Sequence, residues 1–359
     1  MKQINILKNI EDVKDFILGT TILATGGGGS PDLGYELLKD IYNNISFISV
    51  SDLTDDDFVV SPYFVGSMGS LEERSQQETV ALVKKAFHLL ERRMEKRITA
   101  IVASEIGGGN TSIALFVASL LNVPVVDGDL MGRAGPELHQ STAHIFGKPV
   151  TPSVIVTKTG NSLLIENTAS IDDYENIARF VSYLSKGSGF VIDTPLNGKD
   201  AREVVIEGTL TLCLELGRTV RRCIEENLDP IHELLKLLKG YKIFEGVVKM
   251  VDLQNTGKFL EGNVVLENKS SELTIYVKNE YIFASINGKP IVMPPDLIVL
   301  LKENGQPLLT NRLKINEYVH IIASPSPKVW RSSKGLELFG PRHFGFDFDF
   351  IPVEVLVKK

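Results

Sequence analysis

Two aspartates two residues apart, Asp127 and Asp129, open the stretch of this chain richest in groups that can do chemistry. Arg133, Glu137 and His139 follow at once. Acids at this spacing can hold a divalent cation, act as a general base, or accept hydrogen bonds from substrate N–H groups. Asp127, Asp129, Arg133 and Glu137 are the candidate catalytic residues, and Asp127, Asp129 and His139 the candidate metal ligands. Arg133 can grip a substrate carboxylate with its planar fork, or pair with one of the acids. His139 can ligate a metal or shuttle a proton. The competing expectation is an Asp–Arg cluster that only holds its own loop.

Three further segments carry candidate substrate-binding residues. Gly26, Gly27, Gly28 and Gly29 form an unbroken run before Ser30-Pro31-Asp32, which has the form of a helix start. Such a run is justified where backbone must approach a ligand or another segment closely. A helix N-terminus just after it suits an anion or a polarised carbonyl. No Gly-Lys-Ser/Thr follows, so it is not a P-loop, and its spacing fails the dinucleotide fingerprint. Glu105, Gly107, Gly108, Gly109 and Asn110 end a predicted strand, where ligands bind in open α/β sheets. Arg342 and His343 sit in an aromatic turn, Gly340 to Asp347, and can reach back toward the first half. For each segment a tight structural turn is the competing expectation.

The elements that must position these residues alternate. Helical spacing is expected over Asp12 to Ala24, from Ser30 onward, through Val80, Val83, Phe87, Leu90 and Met94, and over Ser112 to Leu121. Ser70-Leu71-Glu72-Glu73 fits a capping box opening the third of these. Strands are expected at Ile45 to Val50, Phe58 to Ser61, Ala100 to Ser104 and Val123 to Val126. This alternation predicts an α/β domain, a sheet covered by helices on both faces, over residues 1–168. Beyond it come helices starting at Ser170, Thr209 and Ile231. Short strands follow at Phe244 to Leu253, Phe259 to Glu267, Leu273 to Val277, Tyr281 to Ile286, Ile291 to Met293, Tyr318 to Ala323 and Val353 to Val357. Residues 169–359 are thus expected to hold helices and then a β-rich domain, barrel or sandwich-like.

Composition narrows the class. The chain has 359 residues, 43% of them hydrophobic, which suits two folded domains rather than disorder. Its net charge of -7 and lack of a basic stripe argue against nucleic acid and anionic membranes as partners. No apolar run is long enough to span a bilayer, and the N-terminus lacks a secretory pattern, so the expected compartment is the cytoplasm. Cys213 and Cys223 share one predicted helix too far apart for a disulfide, and read as packed, reduced thiols.

Taken together, the segments resemble a bacterial family named after S-methyl thiohydantoin desulfurase. The likeness lies in LATGGGGSPDLG at 23–34, EIGGGN at 105–110, VVDGDLMGRAGPEL at 125–138, GTLTLCLELGR at 208–218 and GPRHFGFDFDFIPVE at 340–354. It covers nearly the whole chain in order. The resemblance implies an N-terminal α/β domain, a β-rich C-terminal domain, and association with hydantoinase and oxoprolinase-type proteins. His139-Gln140 stands where Gln-Met is commoner, which marks the histidine as a subgroup feature. The implied activity is hydrolysis of a hydantoin-like or S-methyl thiohydantoin-like ring, by water attack at an amidine or imide carbon. Asp127 or Asp129, directly or through a divalent metal ion, would activate the water, and loop N–H groups would stabilise developing charge. The alternative is a non-catalytic subunit or ligand-binding regulatory partner of a hydantoinase-type enzyme. A homo-oligomer with a small-molecule substrate is expected in either case.

Overall fold

The computed structural model describes residues 5–66, 76–185 and 187–358. The expected capping box at Ser70 to Glu73 lies outside them, and the helix it would open is described from Gln76 to Met94.

The first sheet is mixed. Its order is Phe47–Ile48, Val125–Asp129, Ala100–Ala103, Phe58–Gly66, Ser188–Asn197, Ser153–Thr157, Ser162–Ile165, with Ile206–Glu207 pairing beside Val125–Asp129. The first four run parallel to their neighbours, and Ser188–Asn197 joins antiparallel. Side chains alternate across it, as the pleat dictates. Val60, Ile101 and Ala103 face a core built with helices Gln76–Met94 and Asn110–Leu121, while Val59, Ala100 and Val102 face Ala201 and Val204 of helix Gly198–Val204. The sheet is therefore covered on both faces, as expected. The change of pattern at 168 is not a change of sheet, because Ser188–Asn197 lies between two strands from the first half.

The second sheet is antiparallel and curls into a half-barrel. Its order is Lys289–Val292, Glu280–Ile286, Glu272–Lys278, Leu260–Glu267, Tyr241–Asn255, Tyr318–Ser324, Leu297–Leu301. The fold is thus two-domain α/β. The expected strand at Val353 to Val357 is instead one helical turn, Val353–Leu356, held at its start by Asp296, whose carboxylate accepts from Val353 N at 2.8 Å. Its alternating Val-Glu-Val-Leu is too short to enforce a strand without a neighbour to pair with.

The two sheets share a core. Leu297, Val299, Leu301 and Ile322 of the second sheet belong to the same apolar cluster as helix Ile10–Leu23 and strand Val125–Asp129. Cys213 and Cys223 are both buried free thiols. No helix among the described residues is long and apolar enough to cross a membrane.

Candidate active site

The parallel strands end on one side of the first sheet, and a cleft opens there. Tyr63 to Gly66, Ser104 and Glu105, and Leu130 line it from three neighbouring strand ends. This is the place where open α/β sheets bind ligands. Gly28, Gly29 and Ser30 close one side, Gly135 to Leu138 another, and Asn279 and Glu280 of the second sheet reach in from the far domain. Its cavity volume is ≈ 110 Å³. That is roughly four waters' share of liquid, enough for one small ring.

Two buried carboxyls dominate it. Glu105 is held at both oxygens: Asn110 Nδ2 donates to Oε1 at 2.8 Å, and Gly135 N donates to Oε2 at 3.0 Å. Asn110 in turn accepts from Phe64 N at 3.1 Å, which ties the helix start to the adjacent strand. Glu280 is 3% exposed, and its Oε2 finds no hydrogen-bond partner among the described residues. Burial lifts both carboxyls above the usual range, and the charge on Glu105 pushes Glu280 further up. Each carboxyl therefore favours its protonated form more than a solvated glutamate does, and a charge on Glu105 opposes a charge on Glu280.

Polar groups surround this pair. Asp193 accepts from Tyr63 Oη at 2.6 Å, Tyr174 Oη at 2.9 Å and Thr194 Oγ1 at 2.9 Å. Burial raises its pKa to about 6, against the pull of those three hydroxyls. Thr194 holds a φ of 50°, a strained setting for a β-branched residue at a cleft wall. Arg179 is the one cation among the described lining residues, and its guanidinium is committed to Glu175 and to the carbonyls of Gly66, Pro136 and Lys258. Glu137 also lines the cleft. Burial opposes its charge, but hydrogen bonds from His343 and Lys278 outweigh burial and hold its pKa at about 2.

The glycine loops interlock. A Cβ on Gly107 would lie 2.2 Å from Gly28 O, and Gly109 N and Asn110 N both donate to that same carbonyl, at 3.1 and 3.2 Å. The start of helix Asn110–Leu121 is thus capped by the other loop rather than left open for an anion. Gly28, Gly29 and Gly109 line the cleft, whereas Gly26, Gly27, Gly107 and Gly108 lie behind it. Gly27 has its own reason: a Cβ there would sit 1.9 Å from Glu280 Oε1.

The aspartates of the acidic loop lie elsewhere than expected. Asp127 accepts from Thr211 N at 3.0 Å and Thr211 Oγ1 at 2.6 Å, which caps helix Thr209–Glu226. Asp129 is fully buried, accepting from Met131 N, Gly132 N and Thr209 Oγ1 at 2.8, 2.6 and 2.8 Å. Burial lifts its pKa to about 7. Neither lines the cleft or joins His139 in a metal-ligand set. Arg133, also buried, bonds Ala134 O, Asp296 O, Thr25 Oγ1 and Tyr281 O, and so ties the domains together with no donor turned to the cleft. Arg342 is exposed and paired with Asp347 and Asp349, away from the cleft. His343, its neighbour, does reach back and meets Glu137 at 2.5 Å.

Sequence reasoning missed Glu280, Arg179, Asp193 and Tyr63. Glu280 left one signal, an acid at the head of the apolar run Tyr281 to Ile286, where a buried charge needs a purpose.

No curated protein matches this chain. A crystal structure of a protein from Chromobacterium violaceum is similar to it, at 20% identity and a TM-score of 0.82, over 98% of this chain and 100% of that one. That likeness concerns the fold. The S-Me-THD-like N-terminal domain matches residues 11–167 and the S-Me-THD-like C-terminal domain residues 169–353, and the chain belongs to the S-Me-THD-like family.

Proposed function

We propose that this chain is a hydrolase for a small thiohydantoin- or hydantoin-like ring, with Glu105 and Glu280 as its proton-transfer pair. The observation that carries the reading is the Glu280 carboxyl: buried, unpartnered at Oε2 among the described residues, and on the wall of the same cleft as Glu105, with burial pushing its pKa up. Buried groups are rarely left unpartnered without a reason. Opposed carboxyls of unequal basicity are the usual means of running acid and base steps at neutral pH. An acid-lined cleft also suits a ring rich in N–H donors, because carboxylates only accept.

For an S-methyl thiohydantoin the steps balance. Glu105 takes a proton from water as its oxygen bonds to the ring carbon that bears sulfur. Glu280 gives its proton to the adjacent ring nitrogen. The C–S bond then breaks, methanethiol leaves with the proton held by Glu105, and the new hydroxyl returns a proton to Glu280 as it becomes a carbonyl. Both carboxyls end as they began, and the product is a hydantoin. This replaces the expected roles of Asp127, Asp129 and Arg133, whose polar atoms are engaged in the loop and between the domains.

The test is to incubate the full chain with S-methyl thiohydantoins and with hydantoins, following methanethiol and ring opening by mass spectrometry. Methanethiol with an intact hydantoin product is expected. Turnover of neither class, with the ring nevertheless bound, would turn the reading toward a ligand-binding partner protein.

A further inference from the structure

Beside the cleft, Glu137, His139 and His343 bring one ligand-type atom each to within 4.8 Å of one another. Two come from the loop after strand Val125–Asp129, and the third arrives from the C-terminal turn over 200 residues later. His343 Nε2 lies 2.5 Å from Glu137 Oε2, and His139 Nε2 lies 3.5 Å from the same oxygen. The two imidazoles stand edge to face, 5.1 Å between centroids.

His139 supplies an independent sign. It is 7% exposed, and its Nδ1 has no hydrogen-bond partner among the described residues. A buried imidazole normally satisfies both nitrogens, and here the nitrogen that faces Glu137, Nε2, stands 3.5 Å away, long for a hydrogen bond. Lys278 Nζ occupies Oε1 of Glu137 and stacks on the Phe259 ring, which leaves Oε2 toward the histidines. Gln140 Nε2 also donates to Oε2, at 2.6 Å, and is placed to orient the carboxylate from outside.

We propose that Glu137, His139 and His343 bind one divalent transition-metal ion of the zinc class at the rim of the cleft. Two imidazoles and one carboxylate suit Zn²⁺, and three protein ligands leave a position for water. Tetrahedral ligands at about 2.0–2.1 Å stand roughly 3.3 Å apart, so the Glu137–His343 contact opens slightly when an ion replaces the shared proton. The ion would pin the C-terminal turn to the loop that carries Glu137, a cleft residue. The site differs from the Asp127–Asp129–His139 set that spacing suggested, and shares only His139 with it.

The experiment takes the full chain, strips it with a chelator, and titrates it with Zn²⁺ alone, by calorimetry and by elemental analysis after gel filtration. One Zn²⁺ per chain is expected. Co²⁺ in its place should give the visible ligand-field bands of a low-coordinate ion rather than those of the hydrated one. His343→Asn and His139→Gln, each checked for fold by circular dichroism, should weaken Zn²⁺ binding at least ~10-fold. Lys278→Met removes a competing ammonium and should bind as tightly or more tightly. If His139→Gln does not fold, His343→Asn alone decides, since that ring is partly exposed. A stripped wild type that takes up no Zn²⁺, or histidine variants that hold it with wild-type affinity, would overturn the site. The readout is metal binding rather than turnover, so either result leaves the Glu105–Glu280 reading to its own test.

Discussion

Asn110 Nδ2 donates to Glu105 Oε1 across 2.8 Å, and through Asn110 Oδ1 the same side chain accepts from Phe64 N. One amide thus fixes the cleft carboxyl against the strand that forms the neighbouring wall. Such fixing matters because a proton-transfer group works only when held in reach of its partner.

Asn110→Ala should leave Glu105 with one fewer donor and a freer rotamer. The carboxyl's pKa should rise, since a hydrogen bond that stabilised its charge is lost. The acidic limb of a pH–rate profile should move up with it, and turnover at neutral pH should fall about 10-fold. An unshifted profile would remove Asn110 from the positioning role.

Gly27→Ala and Gly107→Ala should fail differently. At Gly107 the added carbon meets backbone: Gly28 O at 2.2 Å and Gly28 Cα at 2.4 Å. Backbone cannot yield cheaply, so thermal stability should drop, by about 2 kcal/mol or more. At Gly27 it meets the end of the Glu280 side chain, at 1.9 Å. That side chain can move, so turnover should fall more than stability. Equal loss of both in the two variants would count against the placement of Glu280.

Asp129 is expected to act on stability rather than on turnover. Its folded pKa of about 7 lies above the ~3.9 of an unfolded aspartate. The folded chain therefore holds the proton more tightly, and the stability this brings is full below about pH 4 and fades as pH rises through about 7. Asp129→Asn, which cannot ionise, should lose that slope, so its stability relative to wild type should improve from about pH 5 to pH 8. Turnover of the folded variant should stay within about 3-fold of wild type, well short of the loss of a general base. Denaturant melts across that range, paired with activity, give the answer.

Arg133→Met should loosen the domains. It leaves Tyr281 O, Asp296 O and Thr25 Oγ1 without their donor and removes a cation that offsets a charge on buried Glu280. A loss of about 3 kcal/mol is expected, the scale of breaking a buried charge network. Limited proteolysis should then release fragments that the intact wild type resists. A variant as stable as wild type would show that the shared apolar core alone holds the domains.

Much of this architecture was readable beforehand, for local reasons. Ser30 accepts from Leu33 N and Pro31 follows it, so that helix starts where capping chemistry says it should. Of the loop after strand Ala100–Ala103, Gly109 and Asn110 line the cleft, while Gly107 and Gly108 pack behind it. The aspartates lie outside the cleft, bonded to a helix start, and in sequence a helix cap and a catalytic acid look alike. Their partners, Thr209 and Thr211, lie some 80 residues away, in the segment GTLTLCLELGR. Glu280 and Arg179 carry no motif at all. They reach the cleft only because the second sheet docks beside the first and helix Ile171–Leu184 crosses its face, and both are facts of tertiary packing.

The account rests most directly on Glu280. Glu280→Gln is nearly isosteric and removes the ionisable proton while sparing the Gly27 contact. Methanethiol release from an S-methyl thiohydantoin should be measured for wild type and variant beside their melting temperatures. A fall of about 100-fold or more in turnover, with an unchanged or higher melting temperature, is predicted. A variant that turns over within about 3-fold of wild type would contradict it, because a lost acid–base group does not leave so small a mark.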